Sequence, residues 1–461
     1  MSTSPSVSYS ITVRLEVPAG GTAVSLLTNA VEKVGGVVTA LDVTSSAPDR
    51  LRIDVTCAAS DTAHATKVVD ALGAVPGVVV HKVSDRTFLM HLGGTIEMQS
   101  KHPIRNRDDL SMIYTPGVAR VCEAIAANPE DARRLTIKRN SVAVVTDGSA
   151  ILGLGNLGAA AALPVMEGKS ALFKRFADID AWPLCLDTQD VDEIVSIVAA
   201  VSPGFAGINL EDISAPRCFE IEARLREKLD IPVFHDDQHG TAIVVLAALT
   251  NALRVVDRRL EDIRLVMSGA GAAGTAILRL LLEAGLRQVT VVDIGGIIHK
   301  DRPDMDDSLC WIADHTNAEG MTGSLRDAIR DADAFVGVSA PNLLTGDDIA
   351  SMADDAIVFA LANPVPEIDP VVASQHAAVV ATGRSDFPNQ INNVLAFPGV
   401  FRGLLDAHSR SIDQALMVAA AEAIASVVTE DELNPNYIVP AVFNADVHQA
   451  VAAAVREAAA G

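Results

Sequence analysis

Two acidic dipeptides follow short apolar runs and are separated by about one helix's length of chain. Glu211-Asp212 follows the run 205–210, and Asp236-Asp237 follows the run 231–235. If the two runs are neighbouring parallel strands, both pairs lie at the edge of the sheet where α/β proteins bind ligands. Clustered carboxylates repel one another unless a cation neutralises them, so the pattern indicates a divalent metal bound through oxygen.

Helix capping is the alternative role for the same residues. Asp212 or Ser214 could cap the helix before Pro216, and Asp237 could cap a helix that begins near Gly240. Each pair taken alone fits a capping role at least as well as a metal site. The residue types therefore leave both roles open.

The composition of the chain is typical of parallel sheets covered by helices. The chain has 461 residues, of which 49% are apolar and only 4% aromatic. This length allows about two to four domains with full cores. Because the apolar excess consists of Ala, Val, Leu and Ile, we expect a soluble α/β enzyme.

The charge and the cysteines limit the partners and the compartment. A net charge of −23 argues against binding to nucleic acids or anionic membranes, which requires a basic face. The five cysteines are scattered and form no CxxC pair, which suits a reducing compartment. The chain begins with neither a basic nor an apolar signal segment, and no apolar run is long enough to span a membrane. We therefore expect a cytoplasmic protein.

A glycine pattern in the second half of the chain predicts a dinucleotide-binding unit. The pattern lies between a predicted strand over 263–267 and a predicted helix over 275–284, and the next predicted strand, 288–292, precedes Asp293. The glycines allow a tight turn near the pyrophosphate, and the acidic residue is placed to hold a ribose hydroxyl. The expected cofactor-binding residues are Gly269, Gly271, Ala272, Ala273, Gly274 and Asp293. Further strands over 334–338, 357–361 and 378–381 complete a doubly wound Rossmann sheet.

The residues after Asp293 favour NAD over NADP. They are Ile294, Gly295 and Gly296, so no Arg or Lys is immediately placed to receive a 2′-phosphate. His299 and Lys300 lie a few residues further along the chain. NAD is therefore the expected cofactor, with NADP as the alternative.

A second glycine pattern, over 153–158, lacks the context of a nucleotide site. The segment that follows contains Pro164 and leads to no strand with an acidic end at the expected distance. We interpret this pattern as a turn that positions its neighbours.

The first 85 residues predict a small domain of their own. Alternating strands are expected over 8–17, 37–44, 51–56 and 78–83, with helices over 23–34 and 63–72. This βαββαβ order is the ferredoxin-like pattern and resembles the small-molecule-sensing modules known as ACT domains. A module that only supports oligomer assembly is the alternative.

An ordered set of motifs over about residues 100 to 460 resembles the malic enzyme family, in its short bacterial form. The motifs are Tyr114-Thr-Pro-Gly-Val-Ala, Thr146-Asp-Gly, Gly153-Leu-Gly-Asn-Leu-Gly, Met166-Glu-Gly-Lys169, Leu210-Glu-Asp212, His235-Asp-Asp-Gln-His-Gly-Thr241, Asn363-Pro and Asn389-Gln-Ile-Asn-Asn393. The resemblance implies oxidative decarboxylation of (S)-malate to pyruvate and carbon dioxide with a nicotinamide cofactor and Mg²⁺ or Mn²⁺. It also implies decarboxylation of oxaloacetate.

The resemblance assigns a role to each chemically competent residue. Lys169 is the base that takes the proton of the C2 hydroxyl, with its pKa lowered by burial or a nearby cation, and Asp236 holds it. Tyr114 is the acid that protonates C3. The implied metal ligands are Glu211, Asp212 and Asp237. The residues implied to contact substrate or nicotinamide are Asn363, Asn392 and Asn393.

One departure from the family concerns the cation that faces the malate carboxylate. Larger eukaryotic relatives carry an arginine after Thr-Asp-Gly-x, where this chain has Ala150. Arg384 is our candidate for this role. His235 and His239 flank an acid pair, but because the ligand set is rich in oxygen we interpret both as structural.

Four segments and two alternative functions complete the prediction. We expect an ACT-like domain over 1–92, a substrate and metal domain over 93–245, a Rossmann domain over 246–400 and a helical segment over 401–461. A malolactic lyase that converts malate to lactate with NAD retained is the main alternative activity. The second alternative is a sensing or assembly protein with a regulated catalytic half. We also expect a homodimer or a larger homo-oligomer.

Overall fold

The computed structural model describes residues 5–20, 22–303 and 305–460. The chain forms two compact units, Met1–Glu97 and Met98–Gly461. Each unit has its own sheet structure.

The amino-terminal unit has the predicted βαββαβ order. Its elements are β1 (Ser6–Pro18), α1 (Ala23–Lys33), β2 (Val37–Ser46), β3 (Arg50–Ala59), α2 (Thr62–Gly73), β4 (Val79–Asp85) and the short helix α3 (Arg86–Met90). The sheet order is β2-β3-β1-β4, and every neighbouring pair is antiparallel. Side chains that alternate along β1, such as Val13 and Leu15, are buried with Leu27 of α1 and Val68 of α2. The ferredoxin-like prediction for this part of the chain is therefore confirmed at the level of topology.

The second unit begins with a segment of short helices that precedes its first strand. The segment contains α4 (Arg107–Ile113), α5 (Val118–Ala127), α6 (Asp131–Leu135) and a 3-10 helix (Ile137–Asn140). We call residues 98–137 the arm. All residues of the arm are described, and none of them is buried. The arm leads into a strand whose six residues are all buried.

A four-stranded parallel sheet follows the arm. Its elements are β5 (Ser141–Thr146), α7 (Ala159–Ala177), β6 (Asp180–Cys185), α8 (Val191–Val201), β7 (Gly207–Leu210), α9 (Arg217–Lys228), β8 (Val233–His235) and α10 (Asp236–Val255). The strand order is β6-β5-β7-β8. Apolar residues fill both faces of β5, as a sheet sheathed in helices requires, and Ile208 and Leu210 of β7 pack on one of these faces.

The second sheet is the predicted Rossmann sheet. Its elements are β9 (Arg264–Ser268), α11 (Ala272–Glu283), β10 (Gln288–Asp293), β11 (Gly296–Ile297), α12 (Asp307–His315), α13 (Leu325–Ile329), β12 (Ala334–Gly337), α14 (Gly346–Ala350), β13 (Ile357–Ala360), α15 (Pro370–Ala373) and β14 (Val379–Thr382). The order β11-β10-β9-β12-β13-β14 is parallel except for β11. Strand β10 lies on one side of β9, and the later strands β12, β13 and β14 lie on its other side. The change of side at β9 is the switch point where such sheets bind dinucleotides.

Three helices complete the second unit. They are α16 (Phe397–Ala407), α17 (Gln414–Ser426) and α18 (Ala445–Ala458), so the mostly helical end predicted beyond Pro398 is confirmed. Phe397 and Phe401 of α16 stack edge-on against Phe173 of α7, which ties the end of the chain to the first parallel sheet. In the part of the chain that the structure describes, no helix has the length and apolar character needed to cross a membrane.

Candidate active site

The two acidic dipeptides lie at one edge of the first parallel sheet. Strand β7 pairs in parallel with β8, and Leu210 lies opposite His235. The residues that follow, Glu211 and Asp236, are therefore neighbours at the carboxyl ends of the two strands. This arrangement confirms the predicted placement of both pairs.

The capping role considered for these residues is wrong. Pro216 is the amino-terminal cap residue of α9, and His235 is that of α10. Neither side chain accepts a hydrogen bond from the backbone of the helix that follows. Asp212 has a left-handed backbone with φ of 53° and donates its N–H to Oδ2 of Asp237 at 2.8 Å. The turn after β7 thus joins the two acid pairs directly.

Lys169 projects from α7 into this acidic edge. Its side chain is only 7% exposed, and its Nζ donates to Asp236 and lies 2.9 Å from Oε1 of Glu211. The same Nζ lies 4.1 Å from the centre of the Phe397 ring. Two carboxylates and an aromatic face therefore hold one buried ammonium group, as the sequence predicted for Lys169 and Asp236.

Asp236 is held in turn by Asn393, and its other oxygen faces Gly240. The side-chain amide of Asn393 donates to the same Asp236 oxygen as Lys169 does. A Cβ on Gly240 would lie 1.9 Å from the other oxygen of Asp236 and 3.1 Å from Cβ of Asn393. Gly240 is therefore required by close approach, and only its place in the quoted motif signalled it in the sequence.

Lowering of the pKa of Lys169 by a bound cation stays a prediction, because only the protein's own groups act on Lys169 here. Burial by itself lowers the pKa, but the carboxylates of Asp236 and Glu211 outweigh it and raise the pKa of Lys169 above its usual value. Lys169 is consequently an ammonium group as long as both carboxylates are charged.

The three predicted metal ligands carry unbalanced negative charge. Burial, together with Asp237 and Glu211, raises the pKa of Asp212 to about 8. Burial also raises the pKa of Glu211 and of Asp237. Oδ2 of Asp212 is buried and has no hydrogen-bond partner among the described residues. Three adjacent carboxylates with raised pKa values fit a bound hard cation, because a cation stabilises their charged forms.

The carboxylates do not converge on one point. Across residues 5–20, 22–303 and 305–460, no group of three or more His, Cys, Asp or Glu side chains stands ready to hold an ion. Glu211 is turned toward Lys169 and accepts from the amide of Asn209 at 2.9 Å, and Asp237 accepts from the backbone of Asp212.

Asp147 and Arg217 border the site and were not assigned from the sequence. The carboxylate of Asp147, at the end of β5, accepts from Arg217 at 2.8 Å and from the hydroxyl of Ser149 at 2.5 Å. Arg217 also donates to the carbonyl of Gln189 and the hydroxyl of Ser214. The Thr146-Asp-Gly motif contains Asp147. Nothing in the motif indicates that Asp147 pairs with Arg217, which lies seventy residues further along the chain.

His235 and His239 differ in their contacts, and their structural role stays a prediction. Burial lowers the pKa of His235 to about 4, so this histidine is neutral. Nε2 of His239 donates to Glu222 of α9 at 2.8 Å, and Arg226 makes an ion pair with the same carboxylate. These contacts clasp α9 to the first turns of α10, which carries Asp236 and Asp237.

The dinucleotide turn forms an open cradle at the end of β9. A Cβ on Gly269 would lie 2.7 Å from the carbonyl of Val338, and one on Gly274 would lie 2.0 Å from the carbonyl of Gly269. A Cβ on Gly271 would meet nothing within 4 Å, so this side of the turn faces open space. Close packing behind the turn and free space before it fit the approach of a pyrophosphate to the start of α11, at Ala272 and Ala273.

The guanidinium of Arg302 lies beside Asp293, the residue predicted to hold the ribose, and the sequence interpretation did not anticipate it. Arg302 makes an ion pair with Oδ1 of Asp293 at 2.7 Å, and the N–H of Gly295 donates to the same oxygen. A Cβ on Gly295 would lie 2.2 Å from the guanidinium. The sequence interpretation considered only His299 and Lys300, because it looked for cations within the strand's own turn, whereas Arg302 folds back over Gly295.

The second glycine pattern forms a turn against Asn363. Gly153, Gly155 and Gly158 all have positive φ, and a Cβ on Gly153 would lie 2.9 Å from the carbonyl of Asn363. Helix α7 then runs unbroken through Pro164 and leads to β6, which ends at Cys185 rather than at an acidic residue. The pattern lies in a strand–helix–strand unit, but without the acidic end that a nucleotide site needs.

Arg384 and the remaining asparagines occupy the loop after β14. The guanidinium of Arg384 pairs with both oxygens of Asp386, and its neighbour Gly383 approaches the side chain of Asn363. Asn392 accepts from the N–H of Val394 and so caps the 3-10 helix that begins at Asn393. The loop thus brings Asn393 to Asp236 and leaves Arg384 engaged with its own neighbour.

Tyr114 is separate from this assembly. Its side chain is 66% exposed and lies at the end of α4, in the arm. Among the described residues, the side chains in contact with the ammonium of Lys169 are those of Asp236, Glu211 and Phe397. The structure therefore brings the predicted base and the predicted metal ligands together but not the predicted acid.

Comparisons with known proteins point to one family. Residues 93–226 match the malic enzyme N-terminal domain, and residues 238–460 match the malic enzyme NAD binding domain. A protein of Geobacillus stearothermophilus named NAD-dependent malic enzyme is 57% identical over 449 residues, which cover 97% of this chain and 94% of that protein. An alignment of that extent includes most of the amino-terminal unit.

Two further relatives match about four-fifths of the chain. The bifunctional malic/malolactic enzyme of Bacillus subtilis is 53% identical over 368 residues, which cover 79% of this chain and 90% of that protein. The crystal structure of an NAD-dependent malic enzyme from Thermotoga maritima superimposes with a TM-score of 0.78 at 47% identity. That match covers 81% of this chain and 99% of the other.

Proposed function

The chain belongs to the malic enzyme family, and from this premise we propose that it oxidises and decarboxylates (S)-malate to pyruvate and carbon dioxide while reducing NAD⁺. The observation that carries the proposal is the buried Lys169, held by Asp236 and Glu211 beside a Rossmann sheet. A base next to a hydride acceptor is what oxidation of a secondary alcohol requires.

Lys169 takes the proton of the C2 hydroxyl while the C2 hydride passes to the nicotinamide. Its charged form is supported by the negative charges of Asp236 and Glu211, whereas burial favours the neutral amine. Neutralising Glu211 and its neighbours therefore shifts Lys169 toward the form that accepts a proton. Asp236 and Asn393 keep the nitrogen in place during the transfer.

Glu211, Asp212 and Asp237 are the proposed ligands of Mg²⁺ or Mn²⁺. When bound, such an ion acts as a Lewis acid on the oxygens of the substrate. The protein's part is to supply three adjacent carboxylates, one of which has a buried oxygen without a partner. The Asp212 N–H bond to Asp237 keeps the two loops that carry these ligands together.

The coenzyme is proposed to lie over Gly271 with its phosphates at the start of α11. Oδ1 of Asp293 is occupied by Gly295 and Arg302, so Oδ2 is the oxygen that accepts from a ribose hydroxyl. Asn363, beside the 153–158 turn, is placed to contact the substrate or the nicotinamide end.

Loss of carbon dioxide from the C4 carboxylate of the oxidised substrate leaves an enolate, which takes a proton at C3. Tyr114 is the proposed donor, because its hydroxyl can give a proton and the family resemblance assigns it this role. Arg384 is retained as the proposed contact of a malate carboxylate, and this role requires its pair with Asp386 to open. Asn392 and Asn393 are proposed to lie next to the same substrate.

A steady-state assay tests the proposal. With (S)-malate and Mn²⁺ we expect one NADH and one pyruvate per malate consumed, a lower kcat/KM with NADP⁺, and no turnover after removal of divalent ions. Absence of turnover with either coenzyme, in a preparation that still binds NADH, would refute the assigned activity.

A malolactic reaction is the second candidate, because the Bacillus subtilis relative at 53% identity is named for both activities. In that reaction malate yields lactate and carbon dioxide, and NADH is reoxidised before it leaves. Measuring free NADH, pyruvate and lactate in one reaction distinguishes the two. Lactate formed from malate without accumulation of NADH would favour the lyase.

The amino-terminal unit is proposed to be an ACT-like regulatory module in a cytoplasmic homo-oligomer. Its topology supports this proposal, and one face of its sheet carries a network in which Glu16 meets Arg50, Arg52 and His81. A variant that lacks residues 1–92 tests it against an assembly role. Unchanged activity, oligomer size and response to small metabolites would remove both roles.

A further inference from the structure

Asp212, one of the proposed metal ligands, is held through its backbone by the loop that follows β5. We call residues 147–150 the β5 loop. The N–H of Ala150 donates to the carbonyl of Asp212 at 3.0 Å, and the N–H of Ser214 donates to the hydroxyl of Ser149 at 2.9 Å. Asp212 has a φ of 53°, a conformation that costs free energy at a residue other than glycine and persists where the surroundings hold it. The position of Asp212 therefore depends on the β5 loop.

The β5 loop is itself organised by Asp147, whose side chain is fully buried. Its Oδ1 accepts from the N–H of Ser149 at 3.0 Å and from the hydroxyl of Ser149 at 2.5 Å, while its Oδ2 accepts from Arg217 at 2.8 Å. The hydroxyl of Ser149 is the same one that accepts from the N–H of Ser214. A continuous series of hydrogen bonds thus links Arg217 to Ser214, two positions after Asp212.

Arg217, the first residue of α9, connects the β5 loop to two other loops at the same edge of the sheet. Its Nη1 also donates to the carbonyl of Gln189, in the loop after β6, at 2.6 Å, and its Nη2 donates to the hydroxyl of Ser214 at 3.0 Å. The guanidinium presents several donors in a fixed plane, so it serves three acceptors at once with a geometry that the ammonium of a lysine does not reproduce. Its charge also offsets the buried carboxylate of Asp147, which is costly to bury alone.

This network lies on the metal-ligand side of the site rather than on the side of the base. The ammonium of Lys169 is held by Asp236 and Glu211, whereas the network meets the backbone of Asp212. The N–H of Asp212 donates to Asp237, so the N–H and the carbonyl of this one residue are tied to two different loops. A change in the β5 loop should therefore displace Asp212 first and leave Lys169 in place.

We infer that Asp147 and Arg217 are positioning residues that hold Asp212 where it can bind a divalent cation. The inference rests on the proposed function, because it takes Asp212 as a metal ligand. Oδ2 of Asp212 is buried without a hydrogen-bond partner among the described residues, so the position of this oxygen is set by the backbone that carries it rather than by a bond of its own. Partners that orient a ligand without touching the ion change metal affinity by about ten- to a hundredfold when they are removed.

Calorimetric titration of the full chain with Mn²⁺, without substrate or coenzyme, tests the inference. In Arg217→Gln we expect Mn²⁺ to bind about ten- to a hundredfold more weakly, because Asp147 loses its charged partner and the β5 loop loses its anchor. Arg217→Lys keeps the charge but not the planar fork, so its Mn²⁺ affinity should lie between those of Arg217→Gln and wild type. The affinity for NADH, measured by fluorescence, should change by less than about threefold in both variants.

A double-mutant cycle shows whether the two residues act as one unit. Asp147→Asn should weaken Mn²⁺ binding as Arg217→Gln does. The double variant should bind Mn²⁺ no more weakly than the weaker of the two single variants, because each substitution breaks the same series of hydrogen bonds. Losses that multiply in the double variant would show two independent effects and would overturn the inference.

Arg224→Gln is the matched control. Arg224 also lies on α9 and pairs with two carboxylates, those of Glu220 at 3.0 Å and Asp192 at 2.6 Å, at the surface of the protein. Its loss should leave the affinity for Mn²⁺ unchanged. An equal loss of Mn²⁺ affinity in Arg224→Gln and Arg217→Gln would point to a general weakening of α9 and would count against the inference.

The outcomes separate this inference from the proposed function. Wild-type protein that binds Mn²⁺ but does not turn over malate refutes the function, and the variants then decide the inference by binding alone. Wild-type protein that does not bind Mn²⁺ refutes both. Arg217→Gln with a lower midpoint of thermal unfolding but wild-type Mn²⁺ affinity makes the pair a support of the fold only and overturns the inference. If Arg217→Gln does not fold, Arg217→Lys decides, and wild-type Mn²⁺ affinity in that variant overturns the inference.

Discussion

The base side and the acid side of the proposed site differ in how the chain supports them. Lys169 is buried among Asp236, Glu211 and Phe397, and each of these is fixed by further contacts. Tyr114 lies at the end of a short helix in an arm with no buried residue. The difference indicates that the chain encloses the proposed base on several sides and leaves the proposed acid exposed to solvent.

The largest effect is expected from removing a charge on the base side. Asp237→Asn keeps the shape of the side chain but removes a proposed metal ligand, so kcat/KM for malate should fall by on the order of a thousandfold. The affinity for Mn²⁺, measured by calorimetry on the protein without substrate, should fall in parallel. Glu227→Gln, on the exposed side of α9, is the control and should change neither quantity. A variant that lost stability but kept Mn²⁺ affinity would return Asp237 to a structural role.

A smaller loss is expected from crowding the residue that holds Lys169. In Gly240→Ala the new methyl group would overlap an oxygen of Asp236, so Asp236 must turn away from Lys169 and Asn393. We expect a loss of about ten- to a hundredfold in kcat, because positioning residues contribute on that scale.

Gly168→Ala is the matched control for that substitution. A Cβ at Gly168, next to Lys169 on α7, would meet nothing within 4 Å. Alanine there should raise the free energy of unfolding by about 0.5–1 kcal/mol through helix propensity and leave kcat unchanged. If both variants behaved alike, the close approach at Gly240 would not matter to the site.

The base side could be predicted from sequence more fully than the acid side. Glu211 and Asp236 follow apolar runs with a helix between them, and parallel pairing then places them together without further information. The effect of Asp236 and Glu211 on the pKa of Lys169 could not be read from the sequence, because it depends on how many carboxylates the ammonium group meets, and distances are needed to know that. The exposure of Tyr114 was missed for a different reason. Amphipathic spacing predicts a face that needs a partner, but it does not say whether the same chain supplies one.

The contacts of Glu222 with His239 and Arg226 should make the stability of the fold depend on pH. Burial raises the pKa of Glu222, but the interactions with His239 and Arg226 outweigh it and lower this pKa to about 2. Because this folded-state pKa lies below the usual value of 4.5, Glu222 stabilises the fold above about pH 4.5, and this contribution is lost as the pH falls toward 2.

Glu222→Gln measures that contribution. The variant should unfold with a free energy roughly 1–3 kcal/mol lower than wild type at pH 6, as expected for loss of a buried charged partner. The difference between the two proteins should shrink as the pH is lowered below about 4.5. Urea unfolding at several pH values, followed by circular dichroism, gives this difference. A gap that is constant from pH 6 to pH 3 would contradict the role of the charge.

The smallest effect is expected at the coenzyme, where support comes from a single ion pair. Arg302 offsets the charge of Asp293 and could also attract a 2′-phosphate, so it should moderate the preference for NAD over NADP. In Arg302→Gln we expect NADPH to bind about tenfold more weakly, a change of about 1.4 kcal/mol, while NADH affinity changes by less than about threefold.

Asp293→Asn should move the preference in the opposite direction, because it releases the guanidinium of Arg302 to meet a 2′-phosphate. Fluorescence titration with NADH and NADPH measures both variants without relying on turnover. The double variant should resemble Arg302→Gln, because the asparagine benefits NADPH only through the freed arginine. If Asp293→Asn favoured NADPH equally with and without Arg302, repulsion by Asp293 alone would set the preference and the ion pair would have no part in it.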